Sequence, residues 1–392
     1  MTNIKTRHIP YSRQWIDDTD IQAVTDALKN DLITQGPKLK EFEQILQNYL
    51  EVKHAIIFPN GTAALHLAVR ALIKNQNTLG ITSPVTFAAS ANCFLYNNLH
   101  VLFTDVHSDT GLMDVTSLES TLSKIKSDAI IIPVSLEGRV PNLPLIYNLA
   151  KKHQCSVIED AAHSLGGSYC FENKKYKSAS CSHSDIAILS FHPLKHICSG
   201  EGGAILTHDD AIAKKIRLLA NHGIHRPINE NSYPSWFYEQ IDLGWNYRVN
   251  ELQASLGLSQ FKKLPFFISE RRRRATIYNR YLSQEPFSSV FTISPLSEDH
   301  AYHLYVIHFK DFALRDKAHK FLLTKNIYTQ VHYRPIYQFP YYEKHFGKQF
   351  FQGAENYTQS CLSIPLFPKM LDEEQEYVIE SLKEFCYLKH EL

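Results

Sequence analysis

Two short β-branched runs near the middle of the chain, Cys155 to Ile158 and Ile186 to Leu189, constrain the fold more than any other feature. Neither alternates polar with apolar residues, so neither can leave one face in water. Each has the length and composition of a strand covered on both faces, as in a mostly parallel sheet packed between helices. Both end abruptly in polar residues, and the carboxyl ends of such strands are where an open α/β sheet holds its ligands. The first run delivers Glu159 and Asp160. The second delivers Ser190, His192 and, after Pro193, Lys195, in a segment whose S-G-E-G-G leads into a third strand-like run, Ala204 to Thr207.

A carboxylate at one strand end and a lysine on a glycine-flanked turn after a neighbouring strand are what pyridoxal 5'-phosphate needs. Its aldehyde condenses with an unprotonated amine, and its ring nitrogen stays protonated only beside a fixed negative charge. Lys195 is therefore the expected Schiff-base lysine and Asp160 the expected pyridinium partner. Each has an ordinary reading on its own: a solvated loop lysine and a helix cap for Ala161 onward. Together with a phosphate site the balance reverses. Pro59-Asn60-Gly61-Thr62 follows a short strand, Ala55 to Phe58, and opens a helix with Leu65, Ala68, Val69, Leu72 and Ile73 at the 3.6 period. Gly61 lets a ligand approach the backbone, and the free N–H groups of that helix start make an anion site.

Further strand-like runs, Gly80 to Ser83, Val101 to Asp105 and Ala129 to Val134, alternate with helical patterns as far as Thr207. That alternation predicts an α/β fold with a mostly parallel, doubly wound sheet flanked by helices. Ile9 to Trp15 reads as an extended arm, and Thr19 to Leu28 as a helix with Ile21, Val24, Ala27 and Leu28 on one face. The pattern from Leu256 to Leu264 closes the large unit. Beyond Pro265 the character changes, with a strand at Tyr302 to Phe309 and helices at Arg315 to Asn326 and Glu373 to Cys386, a smaller C-terminal α+β domain. The expected division is an arm over 1–17, a large domain over 18–264 and a small domain over 265–392, and a chain of 392 residues suits such a pair.

Forty-one Lys and Arg against 40 Asp and Glu leave a formal charge of +1, so no global field selects nucleic acid or an anionic membrane. The run Arg271 to Arg274 lies in a helical pattern beside Glu270 and reads as a solvated face or partner contact; no aromatic stacking motif accompanies it. Seven cysteines without C-x-x-C spacing suit a reducing cytoplasm. Twenty histidines include no H-E-x-x-H pair, so no metal site is expected. The start has no apolar h-region and no run of about 18 apolar residues occurs, which predicts a soluble, unsecreted, cytoplasmic protein.

The segments E-D-A-A-H and S-F-H-P-L-K-H-I-C-S-G-E-G-G closely resemble the signature of the DegT/DnrJ/EryC1/StrS sugar aminotransferases, fold type I pyridoxal-phosphate enzymes that aminate keto groups on nucleotide-activated sugars. The likeness runs over nearly the whole chain. It implies that Gly61, Thr62 and Ser190 hold the cofactor phosphate, that Phe87 stacks on the ring, that His163 reaches the phenolic oxygen and that His192 lies close to the lysine. Thr34, Gln35 and Gly36 in T-Q-G-P, His332, Tyr333, Arg334 and Pro335 in T-Q-V-H-Y-R-P, and Tyr11 in the arm then face the substrate. In G-W-N-Y-R-V-N-E-L-Q-A the resemblance makes Asn246 a phosphate contact donated by a partner subunit, and the protein a homodimer with shared active sites. Without the resemblance Phe87 is core packing, His163 a helix-surface side chain, and the 34–36 and 329–337 segments are loops. Ser135-Leu136-Glu137 departs from the family, where many relatives carry histidine or aspartate.

Within the family, L-I-T-Q-G-P, S-F-H-P-x-K, the N-Y-R block and T-Q-V-H-Y-x-P most resemble the transaminases of pseudaminic acid synthesis. These take a UDP-linked 4-keto-6-deoxy-N-acetylhexosamine to its 4-amino sugar, with L-glutamate as donor and 2-oxoglutarate leaving. A transaminase for another nucleotide-linked keto sugar is the alternative. A related dehydratase would carry histidine in place of Lys195, and a silent binding protein would not need every one of these positions filled.

Overall fold

A computed structural model describes residues 8–227 and 234–388. The first seven residues of the expected arm, the centre of the polar loop before Pro234 and the last four residues lie outside the described residues. Among the described residues as far as Thr207 the strands are β1 (His54–Phe58), β2 (Leu79–Thr82), β3 (Val101–Phe103), β4 (Ala129–Ile132), β5 (Ser156–Asp160), β6 (Ser168–Phe171), β7 (Lys174–Lys177), β8 (Ile186–Ser190) and β9 (Gly203–Thr207). Seven of them form one sheet in the order β1-β9-β8-β5-β4-β2-β3, and β6 with β7 makes a separate hairpin. From β3 across to β8 every pairing is parallel. The third strand-like run of the central device, β9, instead lies antiparallel between β8 and β1.

The helices are α1 (Asp18–Leu28), α2 (Pro37–Leu50), α3 (Gly61–Leu72), α4 (Ala89–Tyr96), α5 (Val115–Lys124), α6 (Leu143–Lys152), α7 (Asp210–Leu219), α8 (Glu251–Lys262) and α9 (Leu264–Leu282). Strand side chains alternate between the two faces, and both faces are covered. Ile56, Phe58, Ile158, Ile188 and Ile205 pack with α3, α4 and α7. Ala55, Ile57, Ala187, Leu189 and Leu206 pack with α2, α8 and the start of α9, while Ile81, Ile131 and Val157 pack under α5 and α6. Each fully buried Ile or Leu in these layers contributes about 1.5–3 kcal/mol, which is why the strands read as unbroken apolar runs.

A second layer follows: β10 (Ile224–His225) pairs with β11 (Glu239–Gln240), and β12 (Phe291–Ile293), β13 (Tyr305–Phe309) and β14 (Cys361–Ile364) form an antiparallel sheet. Its helices are α10 (Phe312–Thr324), α11 (Pro340–Phe346), α12 (Gln352–Ser360) and α13 (Asp372–Leu388). We propose that the large domain ends at Pro265, in the first turn of α9. The start of that helix packs with the large sheet, whereas Ala275, Tyr278 and Leu282 pack with the C-terminal core. The arm joins the same core: Ile9 is buried and pairs with Ile327, and the Tyr11 carbonyl accepts from the Leu366 N–H.

Three local expectations change. Helix α1 turns Asp20 inward, where Ser259 and Gln260 of α8 and Lys263 just beyond it donate to it, and leaves Ile21 and Leu28 exposed. The arginine run is not a solvated face throughout: Arg271 and Arg274 are buried, on the same stripe as Phe267, Ile268, Ala275 and Tyr278. The strand expected from Tyr302 begins at Tyr305, because residues 301–304 are tied to the 136–138 turn by Ala301 N–H to Gly138 O and Leu304 N–H to Glu137 O.

Candidate active site

The carboxyl ends of β5 and β8, the turn after β2 and the start of α3 converge on a cavity of about 760 Å³. Asp160 and Lys195 both line it. Asp160 closes β5, paired across to Ile188 of β8. Its side chain is 5 % exposed, with Ser90 Oγ donating to Oδ2 at 2.7 Å and the Ala162 N–H to Oδ1 at 3.2 Å. Thr86 stands 2.9 Å behind Ser90. Burial raises the carboxyl's pKa, and these donors together with the Lys195 charge oppose that rise. Glu159, one residue earlier, points to the opposite face, where Ser178 and the Ala179 N–H bind it. Strand alternation alone decides which of the two carboxylates faces the cavity.

Lys195 lies on the loop between β8 and β9. That loop is held by Phe191 N–H to Gly202 O, Lys195 N–H to His192 O and Ser199 N–H to Phe191 O. Burial pushes the ammonium down to about 8 from the ordinary 10.5; Asp160 opposes this and Arg271 adds to it. His163 and His303 stand against each other at 4.2 Å between ring centroids, and both line the cavity. Burial, then neighbouring positive groups or rings, holds both well below the usual imidazole range, so they are neutral at pH 7. Nδ1 of each is buried with no hydrogen-bond partner, while His163 Nε2 lies 3.4 Å from the Tyr333 hydroxyl. His192 also lines the cavity, and its own burial lowers its pKa.

At the other end Asn60 caps α3 through Ala63 N–H to its side chain; Gly61 and Thr62, whose N–H groups have no partner within the helix, line the cavity. The approach is close. A Cβ on Gly61 would lie 3.2 Å from Ser190 Cβ, and one on Gly203 would lie 2.7 Å from the Asn60 carbonyl carbon and oxygen. Gly203 pairs with both Phe58 and Ser190, so β9 can thread between β1 and β8 under this turn only without a side chain. Phe87 stands at the cavity rim, 60 % exposed and 6.3 Å from the Tyr333 ring.

Tyr11, His332, Tyr333 and Arg334 complete the wall, with the Tyr11 and His332 rings 5.2 Å apart and tilted by 59°, and His332 Nδ1 2.8 Å from Ser363 Oγ of β14. Arg334 is exposed at the mouth, its Nη2 donating to the Gln338 carbonyl. Pro335 is buried behind this wall, where Ile336 N–H donates to the Pro84 carbonyl.

Thr34, Gln35, Gly36 and Asn246 do not line the cavity. Thr34 pairs with Asn250, Gly36 N–H donates to Glu251, and Asn246 pairs with Asn221 on an exposed surface that also carries Leu32, Ile33, Ile241 and Leu243. Residues of the cavity that the sequence reading did not single out are Ser90, His303 and Gln330. Thr86 and Ser90 share a face of the turn entering α4, a spacing that was legible, whereas His303 reaches the cavity only through the non-local ties to residues 137–138. Leu136 and Glu137 are buried, with Tyr357 donating to Glu137 at 2.6 Å, so the departing triplet is packed into the protein and is not part of the cavity lining.

An amine held partly neutral, a buried carboxylate, neutral imidazoles and a glycine-lined helix start fit pyridoxal 5'-phosphate at its aldehyde, ring nitrogen, phenolic oxygen and phosphate, respectively. Fold and cavity together define a fold type I pyridoxal-phosphate-dependent transferase. Residues 14–383 match the DegT/DnrJ/EryC1/StrS aminotransferase family, and the chain belongs to it. It is 37% identical over 378 residues, 95% of this chain and 96% of the other, to a UDP-4-amino-4,6-dideoxy-N-acetyl-beta-L-altrosamine transaminase of Campylobacter jejuni. Among solved structures it resembles Helicobacter pylori PseC, an aminotransferase of pseudaminic acid biosynthesis, with 30% identity, a TM-score of 0.89 and coverage of 97% of this chain and 100% of that one. The pyridoxal-phosphate form of Spr1654 from Streptococcus pneumoniae, a sugar aminotransferase, is similar at 25% identity and a TM-score of 0.86, covering 97% of this chain and 99% of that one. Among the described residues no helix is long and apolar enough to cross a membrane, and no cluster of His, Cys, Asp and Glu could hold a metal ion.

Proposed function

We propose that this aminotransferase moves the amino group of L-glutamate to C4 of a UDP-linked 4-keto-6-deoxy-N-acetylhexosamine, giving the 4-amino sugar UDP-4-amino-4,6-dideoxy-N-acetyl-β-L-altrosamine and releasing 2-oxoglutarate. The observation that carries this reading is the match to the altrosamine transaminase along 95% of this chain. Bound pyridoxal phosphate supplies an electron sink and a carrier for the amino group.

The chain's own residues do the rest. With its pKa near 8, about one Lys195 side chain in ten is unprotonated at pH 7, roughly 300-fold more than for an ordinary lysine. Lys195 Nζ would move the proton from Cα of the donor to C4′ of the cofactor and, in the second half of the cycle, from C4′ to C4 of the sugar. Asp160, oriented by Ser90 and the Ala162 N–H, would hold a proton on the ring nitrogen. His163, neutral, would donate to the phenolic oxygen without adding a competing charge. Gly61, Thr62 and Ser190 would hold the phosphate, Phe87 would cover the ring, and His192 would stand beside the lysine. Tyr11, His332, Tyr333 and Arg334 would line the sugar side, with Pro335 fixing that wall from behind and the Arg334 guanidinium suited to the diphosphate.

Thr34, Gln35, Gly36 and Asn246 lie together outside this cavity beside exposed apolar side chains. Their position supports a homodimer in which each copy completes the other's site. The protein would then work in the cytoplasm, which suits its seven cysteines without C-x-x-C spacing.

Product analysis tests the substrate. Purified enzyme loaded with cofactor is given glutamate and UDP-4-keto-6-deoxy-N-acetylhexosamines that differ at C5, and sugars are identified by mass spectrometry and NMR. A 4-amino sugar matched mole for mole by 2-oxoglutarate is expected, and Lys195→Ala should form none. Amination only of a keto sugar on another nucleotide would replace this substrate with the alternative.

A further inference from the structure

Lys195 is the one residue that lines both the large cavity and a second, small one of about 10 Å³ on its other side. Asp160 belongs to the first cavity, and Arg271 of α9, with His196, to the second. Arg271 is 1 % exposed, and its Nη1 donates to the carbonyls of Tyr302, His303 and Leu366 at 3.1, 3.1 and 3.2 Å. No carboxylate among the described residues pairs with it, and its Nε is buried without a partner. A buried guanidinium is normally kept beside a counter-ion. Here carbonyl dipoles alone hold it, so its field reaches the nearest amine unneutralised.

We propose that Arg271 is a positioning residue for Lys195: a buried positive charge without a carboxylate partner, lining the small cavity that Lys195 also lines, which keeps the amine free to bond the cofactor and to move protons. Through the carbonyls of Tyr302 and His303 the same side chain also fixes the segment that sets His303 against His163. The proposal rests on the reading of Lys195 as the reactive amine.

The other groups around Lys195 do not supply this charge. His163, His192, His196, His303 and His332 are all held below the ordinary imidazole range, chiefly by burial. The phenols of Tyr11 and Tyr333 are raised by burial and stay neutral. Glu201 at the rim of the large cavity, Arg334 at its mouth and Arg13, which lines the small cavity with Arg271, are all exposed, so solvent screens their charges. Asp160 and Arg271 are therefore the buried charges that bracket the amine, and they act in opposite directions. Arginine keeps its proton across the working pH range even when burial lowers its pKa to about 10.

The test titrates Lys195 in the full-length chain freed of cofactor. Reductive methylation with formaldehyde is run from pH 6 to 10 and read at the Lys195 peptide by mass spectrometry, in wild type and in Arg271→Lys, Arg271→Gln and Arg271→Met. Wild type and Arg271→Lys are expected to share a midpoint. Arg271→Gln and Arg271→Met should each move it up by about one pH unit, a tenfold loss of reactive amine at pH 7. Midpoints in the neutral variants within about 0.3 unit of wild type, an equal shift in Arg271→Lys, or a failure of both neutral variants to fold would each overturn the proposal, the last by showing a purely structural arginine. Borohydride trapping of pyridoxal phosphate, followed by peptide mapping, separates this from failure of the parent reading: an adduct on Lys195 keeps that reading even if the midpoints do not move.

Discussion

Gly203→Ala tests the phosphate cradle with a single methyl group. Its Cβ would sit 2.7 Å from the Asn60 carbonyl carbon and oxygen and 2.8 Å from Gly61 N. These are backbone atoms, so no side chain can swing away, and ordinary contact requires the 60–61 peptide or β9 to move by about 0.7 Å. The Asn60 carbonyl accepts from Ala64 N–H and its side chain from Ala63 N–H, so the shift carries the first turn of α3 with it. Overpacking of this kind costs about 1–3 kcal/mol of stability. Misaiming one or two charge-assisted hydrogen bonds to a phosphate costs about 2–4 kcal/mol, or roughly 30- to 1,000-fold in cofactor affinity. Apoprotein titrated with pyridoxal phosphate and, separately, with pyridoxal, followed by the visible band, distinguishes the two effects. Affinity for the phosphorylated form should fall by that factor while affinity for pyridoxal changes less than threefold. An equal loss for both ligands would mean that the substitution acts on the lysine loop, and an unchanged pyridoxal phosphate affinity would remove the phosphate from the start of α3.

The buried Glu137 carboxyl is raised to about 7, first by burial, from an ordinary value of 4.5. A carboxyl whose folded pKa lies above its unfolded value binds its proton more tightly in the native state, so stability falls as pH rises from about 4.5 through about 7. Glu137→Gln, whose amide oxygen can still accept from Tyr357, should reduce that fall by about 3 kcal/mol between pH 4.5 and 8, read from urea unfolding; Glu159, raised to about 7 in the same way, and Asp160, also raised by burial, contribute to the remainder. Asn246→Ala and Lys195→Ala protomers, each inactive or weak alone, should regain activity when refolded together, because one mixed site then holds both native residues; mixtures no better than the parents would end the shared-site reading.

The strands of the large sheet and the meeting of Asp160 and Lys195 at one cavity were legible because they rest on local pattern: apolar runs of strand length, each stopping at a polar residue. Parity along β5 even selects Asp160 over Glu159. What was not legible depends on partners remote in sequence. Nothing local says that β9 reverses direction, and Gly203 shows its purpose only when the Asn60–Gly61 peptide lies against it. Arg271 was read as solvated because four consecutive arginines suggest an exposed helix face. Its spacing from Phe267 and Tyr278 already placed it on the buried stripe, but the carbonyls that hold it come from residues 302, 303 and 366. Leu28 and Ile21 misled in the opposite sense, since they are apolar and exposed in the single chain.

The cavity has walls of separate origin. The side that meets the cofactor is assembled from strand ends of the seven-stranded sheet, whereas the 330–334 segment hangs from β14, through Gln330 and His332 to Ser363. On the proposed reading, in which this segment lines the sugar side, substitutions along it alter which sugar is admitted while leaving the register of β5 and β8 untouched. Descendants of one ancestral catalyst could thus exchange clients by editing a few positions near the C-terminus, with the vitamin-dependent chemistry inherited intact.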